Sequence, residues 1–175
     1  ALADHGIAVT NGSGVHGPNI AEYVLGGILA FARGFPTAWR QKDGREWRAF
    51  ETRELQGSTV TVLGMGAIGQ AVLERLEPFG VHTIGLRYTP EKGGPADEIS
   101  GLDERSRHEA FARSDYVVLA TPLTDMTEGL IDSEALTTLP ADAVILNVAR
   151  GKIVETEALV HSLQRNEIRG AVLDV

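Results

Sequence analysis

The sequence predicts a doubly wound α/β domain built on a parallel sheet, a Rossmann-like fold. Three observations carry that expectation. From residue 59 onward, short Val/Ile/Leu runs alternate with helix-length stretches, the pattern of parallel strands covered on both faces. The first run, TVTVLG, breaks at Gly64, Gly66 and Gly69 before an amphipathic stretch resumes. No repeat or low-complexity segment interrupts the alternation, so right-handed crossovers order it into one sheet.

The elements follow in chain order. Residues 7–11, IAVTN, read as a short strand. The stretch GPNIAEYVLGGILAFAR reads as a helix with Pro18 suited to its first turn. Ile20, Val24, Ile28 and Phe31 share one face, and Ala21, Leu25 and Leu29 widen it. A helix apolar nearly all round is expected to be buried, and Gly26–Gly27 would admit another backbone closely. Residues 34–55 are polar and broken by Gly and Pro, with Trp39, Trp47 and Phe50 as isolated anchors. They read as an arm that packs against something other than its own core. The regular alternation then gives a strand at TVTVLG, a helix over 67–79 and a strand over 81–86. A Gly/Pro-rich loop precedes a helix near 103–113, followed by a strand over 116–120 and a short helix around 132–139. A strand over 143–148, a helix over 155–166 and a strand over 170–175 complete the run.

Composition narrows the function. A chain of 175 residues with 43% hydrophobic content is one globular domain or part of a larger protein. A net charge of −8 argues against general nucleic-acid binding. Cysteine is absent, which excludes disulfides and thiolate metal sites, and no metal site is expected. No apolar run spans a bilayer and the first residues do not read as a signal peptide, so the expected residence is cytoplasmic. Three Lys stand against 13 Arg and 24 acidic residues. Either Arg-rich codon usage or a halophilic, acid-coated surface accounts for that ratio.

The glycine stretch carries the chemistry. Gly-x-Gly-x-x-Gly ending a strand and opening a helix is the dinucleotide fingerprint in its required context. Gly64 permits the tight turn, Gly66 lets backbone approach a pyrophosphate, and Gly69 allows close helix–strand packing. Met65 lies between the first two glycines. The amides of Ala67, Ile68 and Gly69, at the positive end of the helix dipole, offer an anion site. Arg87 follows Gly69 by 18 residues at the end of the second strand. An acid there would hold the ribose 2′-OH, whereas Arg favours a 2′-phosphate. Tyr88 is placed to lie along adenine and Thr89 to donate a hydroxyl to the same phosphate. The preferred cofactor is therefore NADP(H), with NAD(H) as the alternative.

LGMGAIGQAV, SDYVVLATPLTDMTEGLID and LPADAVILNVARGKIVETEALVHSLQRNEIRGAVLDV, with IAEYVLGGILAFAR upstream, together resemble the D-isomer-specific 2-hydroxyacid dehydrogenase family. NVARG followed by AVLDV is the most specific part. The resemblance implies that Arg150 grips the substrate carboxylate and orients the 2-keto group. Its place after the strand AVILNV supports this, because ligands bind at carboxyl ends of strands in such sheets. The resemblance also implies that Thr121, Pro122 and Leu123 line the cofactor cleft. It puts Thr127 near the phosphates or nicotinamide ribose, Val148 and Ala149 against the nicotinamide, and Asp174 on its carboxamide.

The reaction so implied moves a hydride between nicotinamide C4 and substrate C2, with a His–Glu pair supplying the proton. Those two residues fall beyond Val175 in the family's order. His5, His82, His108 and His161 read as solvated or structural, while His16 sits on a loop within reach of the cleft mouth. By the same resemblance, residues 1–15 are a remnant of a substrate-binding domain and 16–175 an incomplete dinucleotide-binding domain. The isolated piece is expected to be inactive. The partners implied are a small 2-oxo or 2-hydroxy acid and a second copy, the latter through the arm at 34–55. A β-hydroxyacid dehydrogenase and a non-catalytic, corepressor-like dinucleotide sensor are the alternatives.

Overall fold

Six strands make one sheet in which every neighbouring pair is parallel. In chain order they are β1 (Thr59–Leu63), β2 (His82–Leu86), β3 (Glu98–Ser100), β4 (Tyr116–Leu119), β5 (Val144–Asn147) and β6 (Gly170–Leu173). Their spatial order is β3-β2-β1-β4-β5-β6, the doubly wound arrangement whose switch point lies between β1 and β4. The structure, a computed structural model, describes all residues except 1, 7, 9–11 and 13. Apart from Ala8, the strand expected over 7–11 thus lies outside the described residues.

Strands β4 and β5 are buried throughout and β1 nearly so, as their Val/Ile/Leu runs require when helices cover both faces. Thr61 is the polar exception within β1. Its hydroxyl lies 2.6 Å from that of Ser114, which donates to the Ala110 carbonyl at 2.8 Å, so no buried oxygen there is left unpaired. Helices α1 (Gly17–Ala32) and α3 (Ala67–Leu76) cover one face. Val24, Ile28, Leu73 and Leu76 meet Val60 and Val62 there. Helices α4 (Glu104–Phe111), α5 (Ser133–Thr137) and α6 (Thr156–Gln164) accompany the other face, where Phe111, Leu136 and Ile153 meet Leu119 and Ile145. Asp103 and Asp132 cap α4 and α5 by accepting the amides of Ser106 and Ala135. No helix of the described residues is long and apolar enough to cross a membrane.

Three expectations need correction. Helix α1 is buried on one face only. Gly27 presses on Leu146 and Val172, while Gly26 faces open space and Tyr23 is 41% exposed. The sheet of this chain covers one side of the helix, against which Ile20, Leu25, Leu29 and Phe31 are only partly buried. On the outer side the Tyr23 hydroxyl reaches the Leu173 carbonyl at 3.3 Å. The arm is not irregular throughout, because residues Phe35–Asp43 form a helix, α2. Pro36 sits in its first turn, and Phe35 and Trp39, one turn apart, bring their rings to 5.9 Å. Of the supposed anchors, Phe50 lies over Gly34, whereas Trp47 is 99% exposed.

The third correction is β3, which the sequence hid in a loop. Its three residues include a single apolar one, Ile99 between Glu98 and Ser100, and side-chain contacts hold its start. Asp97 accepts both the amide and the hydroxyl of Thr83 at 2.8 Å. Glu98 takes a two-point contact from Arg113 at 3.1 and 2.7 Å, and His82 Nε2 lies 2.8 Å from it. The Arg113 guanidinium first, and His82 second, hold the Glu98 carboxyl at about 2, below its ordinary 4.5. A depressed carboxylate stabilises the folded state above its unfolded value and loses that contribution as pH falls towards the folded one. Amide exchange across 98–100, corrected for intrinsic rate, should therefore accelerate from pH 4.5 down towards pH 2. Glu98→Gln should weaken that dependence and leave the part carried by Asp97, whose carboxyl the Thr83 amide and hydroxyl also hold below its ordinary value. The Glu98 side chain is 41% exposed, so solvent keeps the effect local rather than global.

Candidate functional site

The glycine turn begins with strong steric constraints. Gly64 has φ +94°, and a Cβ there would lie 2.7 Å from both the Ala120 carbonyl oxygen and the Thr121 nitrogen. A Cβ on Gly69 would lie 1.9 Å from the Gly64 oxygen, so the start of α3 sits directly on the end of β1. Gly66 differs, because a Cβ there meets nothing within 4 Å. It opens α3 with no side-chain cap, leaving the first-turn amides of Ala67, Ile68 and Gly69 to face a ligand. The three glycines thus do three different jobs: turn, open approach and close packing.

Two cavities meet at this turn, both outside the carboxyl ends of the central strands. The first, about 800 Å³, lies over β1, β2 and β4, and the second, about 450 Å³, over β1, β4 and β5. Gly66, Ala120, Thr121 and Pro122 belong to both walls, so the cleft continues across the switch point, as a two-part nucleotide requires.

The first cavity contains Gly64, Met65, Arg87, Tyr88, Thr89 and Thr127 of the expected residues. Met65 is also a core residue, 4% exposed, whose sulfur and methyl fill the space left by Gly85 and Gly94. Arg87 Nη1 donates to the Gly93 carbonyl, folding the Pro-Gly loop back beside the strand end. Tyr88 is 74% exposed and stands at the rim. Lys92 joins the same wall, with no acidic partner among the described residues. Sequence reasoning passed over it because it lies inside a loop rather than at a strand end. Thr127 is buried and its hydroxyl is engaged within its own loop. It donates to the Pro122 carbonyl at 2.6 Å and accepts the Thr124 amide at 2.8 Å. It shapes the cleft wall.

The second cavity gathers Ala67, Ile68, Leu123, Val148, Ala149 and Arg150 of the expected residues. Arg150 follows β5, where Asn147 fixes the turn: its Nδ2 donates to the Arg150 carbonyl and its Oδ1 accepts the Ala149 amide, each at 3.0 Å. Asn147 is 1% exposed. Its role is legible only once the turn is seen. The Arg150 guanidinium donates to the Ala149 carbonyl at 2.6 Å and, among the described residues, pairs with no carboxylate. His16 lines this cavity as well.

Two expected residues stand apart from both walls. Gly69 is buried and acts through packing. Asp174 is exposed beyond β6, its amide donating to the Asn147 carbonyl at 3.0 Å. Outside the cleft, Glu104, His108 and Glu134 bring ligand-type atoms within 4.8 Å of one another. Both glutamates occupy first turns of helices, where the helix dipole accounts for them without a metal.

Comparison with known proteins agrees with this geometry. Residues 25–175 match the NAD-binding domain of the D-isomer-specific 2-hydroxyacid dehydrogenases. The chain is 34% identical to D-3-phosphoglycerate dehydrogenase of Methanocaldococcus jannaschii, aligning over 100% of its own length and 34% of that protein's. It is 36% identical to the glyoxylate reductase of Thermococcus kodakarensis, over 97% of this chain and 53% of that one. A D-isomer-specific 2-hydroxyacid dehydrogenase from Xanthobacter autotrophicus Py2, solved with NADPH and MES, superposes with TM-score 0.82 and 34% identity, covering 89% of this chain and 49% of that one. The chain thus spans about a third to a half of these relatives. By fold, cleft and sequence together, it belongs to the D-isomer-specific 2-hydroxyacid dehydrogenase family, as an NAD(P)-binding domain of that family.

Proposed function

We propose that the chain is the coenzyme domain of an oxidoreductase that transfers a hydride between NADP(H) and C2 of a 2-oxo or D-2-hydroxy acid. The observation that carries this is Arg150, a guanidinium with no acidic partner among the described residues, in a cavity continuous with the glycine turn. When bound, the nicotinamide supplies or accepts the hydride. The chain's own residues orient and bind. Uncapped amides at 67–69 hold the diphosphate. The apolar surface of Val148 and Ala149 keeps water from the reacting face. The Arg150 fork fixes a carboxylate in two-point geometry, so that C2 is presented in one orientation.

The preference for NADP(H) rests on Arg87 at the end of β2, supported by Lys92 in the same wall. Relatives of both cofactor types exist: the Xanthobacter protein was solved with NADPH, and a Staphylococcus aureus formate dehydrogenase with NAD. In the full-length protein, 2-oxo acids should consume NADPH faster than NADH. Arg87→Asp should raise the KM for NADPH about tenfold to a hundredfold, the scale of one charge-assisted phosphate contact. The KM for NADH should not rise. Equal loss for both cofactors would overturn the assignment.

The same reading assigns 1–15 to the substrate-binding domain and 16–175 to the dinucleotide-binding domain of a cytoplasmic enzyme. It assigns a homodimer contact to the outer face of α1 and the arm, where Tyr23, Trp39 and Trp47 are exposed.

A further inference from the structure

We infer that His16 selects the substrate by hydrogen-bonding the group carried on C3 of the 2-oxo acid. The inference rests on the 2-oxo acid reading above and names which acids the site takes. Among the described residues, His16 and Arg150 are the only titratable side chains in the wall of the second cavity, and they come from different elements. Arg150 stands at the end of β5, and His16 on the turn that opens α1.

The position of His16 is fixed by its neighbours. It occupies the N-cap position of α1, and its carbonyl accepts the Ile20 amide at 3.1 Å. Pro18 sets the first turn of that helix. Gly17 is buried, and a Cβ on it would lie 3.2 Å from the Ala67 carbonyl oxygen. The opening of α1 is therefore seated on the opening of α3, the element that bears the anion-binding amides. The His16 side chain makes no capping bond and has no other partner among the described residues, so its imidazole is available to a ligand.

The chemistry of the substrate then divides between the two residues. A 2-oxo acid presents its C1 carboxylate to the Arg150 fork, and C2 must face the nicotinamide. What remains for a second polar side chain in the same cavity is the substituent on C3. An imidazole donates an N–H in either protonation state, which suits a hydroxyl or a second carboxylate. Hydrogen or a methyl group at C3 makes no such bond and leaves the exposed imidazole to water. The acid that makes the bond is then favoured by about tenfold, the scale of one hydrogen bond.

The test is steady-state kinetics of the full-length protein with NADPH and two probes, hydroxypyruvate (C3 hydroxyl) and pyruvate (C3 methyl). The wild type should favour hydroxypyruvate. His16→Ala should lower kcat/KM for hydroxypyruvate about tenfold, mainly through KM, the scale of one lost hydrogen bond. It should leave pyruvate within about twofold, and NADPH affinity unchanged. His16→Gln, which keeps a donor, should restore most of the preference. An unchanged ratio between the two acids overturns the inference while leaving the 2-oxo acid reading intact. An equal fall in kcat for both also overturns it, since that marks a proton donor rather than a selecting group. A wild type that reduces no 2-oxo acid at all removes the reading on which both stand.

Discussion

Arg150→Ala is expected to lower kcat/KM for any 2-oxo acid by two to three orders of magnitude, on the order of the cost of leaving one charge of a close pair unmatched. The dissociation constant for NADPH should stay unchanged. The separation follows from the architecture. Arg150 lines the cavity over β5 and is absent from the wall that holds Arg87 and Lys92. Asn147 holds the turn through two bonds of 3.0 Å, to the Arg150 carbonyl and from the Ala149 amide, neither of which involves the Arg150 side chain. Truncation at Cβ therefore removes the guanidinium and leaves the turn standing. Arg150→Lys should recover only part of the loss, because an ammonium keeps the charge without the planar fork. Substrate kinetics together with a direct cofactor titration decide the matter. A parallel loss of NADPH affinity would move this guanidinium from the substrate to the cofactor.

The parts of this fold that the sequence made legible are those governed by backbone rules. The fingerprint glycines are visible because only glycine meets the constraints at 64 and 69, where an added Cβ collides with backbone atoms. Strands β1, β4 and β5 are visible because both of their faces are covered, which leaves continuous apolar runs. Arg87 is found by counting 18 residues from Gly69 to the end of β2, and Arg150 by the resemblance that NVARG carries, with its place after β5 in support. What stayed hidden depends on side-chain contacts across long separations. Strand β3 has only one apolar residue, Ile99, and exists through Asp97–Thr83 and Glu98–Arg113. Helix α2 was masked by Gly34 and Pro36, which begin it rather than break it. Lys92 enters the cleft from a loop, where no periodicity marks a direction. Helix α1 misled for a different reason. Its pattern correctly shows apolar residues all round, yet a pattern does not say which chain covers them.

Within the fingerprint, Gly69→Ala and Gly66→Ala should fail in opposite ways. The added methyl at 69 would sit 1.9 Å from the Gly64 oxygen, less than the separation any carbon and oxygen tolerate without a bond. Gly64 cannot retreat. Its amide donates to the Leu86 carbonyl at 2.8 Å, and even a Cβ on it would lie 2.7 Å from the Ala120–Thr121 peptide. Helix α3 must then lift from the sheet, opening the contacts that Val72, Leu73 and Leu76 make beneath it. Overpacking of this kind costs about 3 kcal/mol or more, so the melting temperature of this domain should fall by roughly 6–12 °C, with cofactor binding lost alongside. At 66 the methyl meets nothing within 4 Å, so Gly66→Ala should melt within about 1 °C of wild type, as a change that disturbs no packing. It should nonetheless bind NADPH more weakly, because the methyl occupies the path by which a diphosphate nears the amides of α3. Thermal melts with and without NADPH separate the two. Equal melting temperatures for the two variants would mean that α3 does not rest on β1 at Gly69, and the helix N-terminus would lose its fixed place over the cleft.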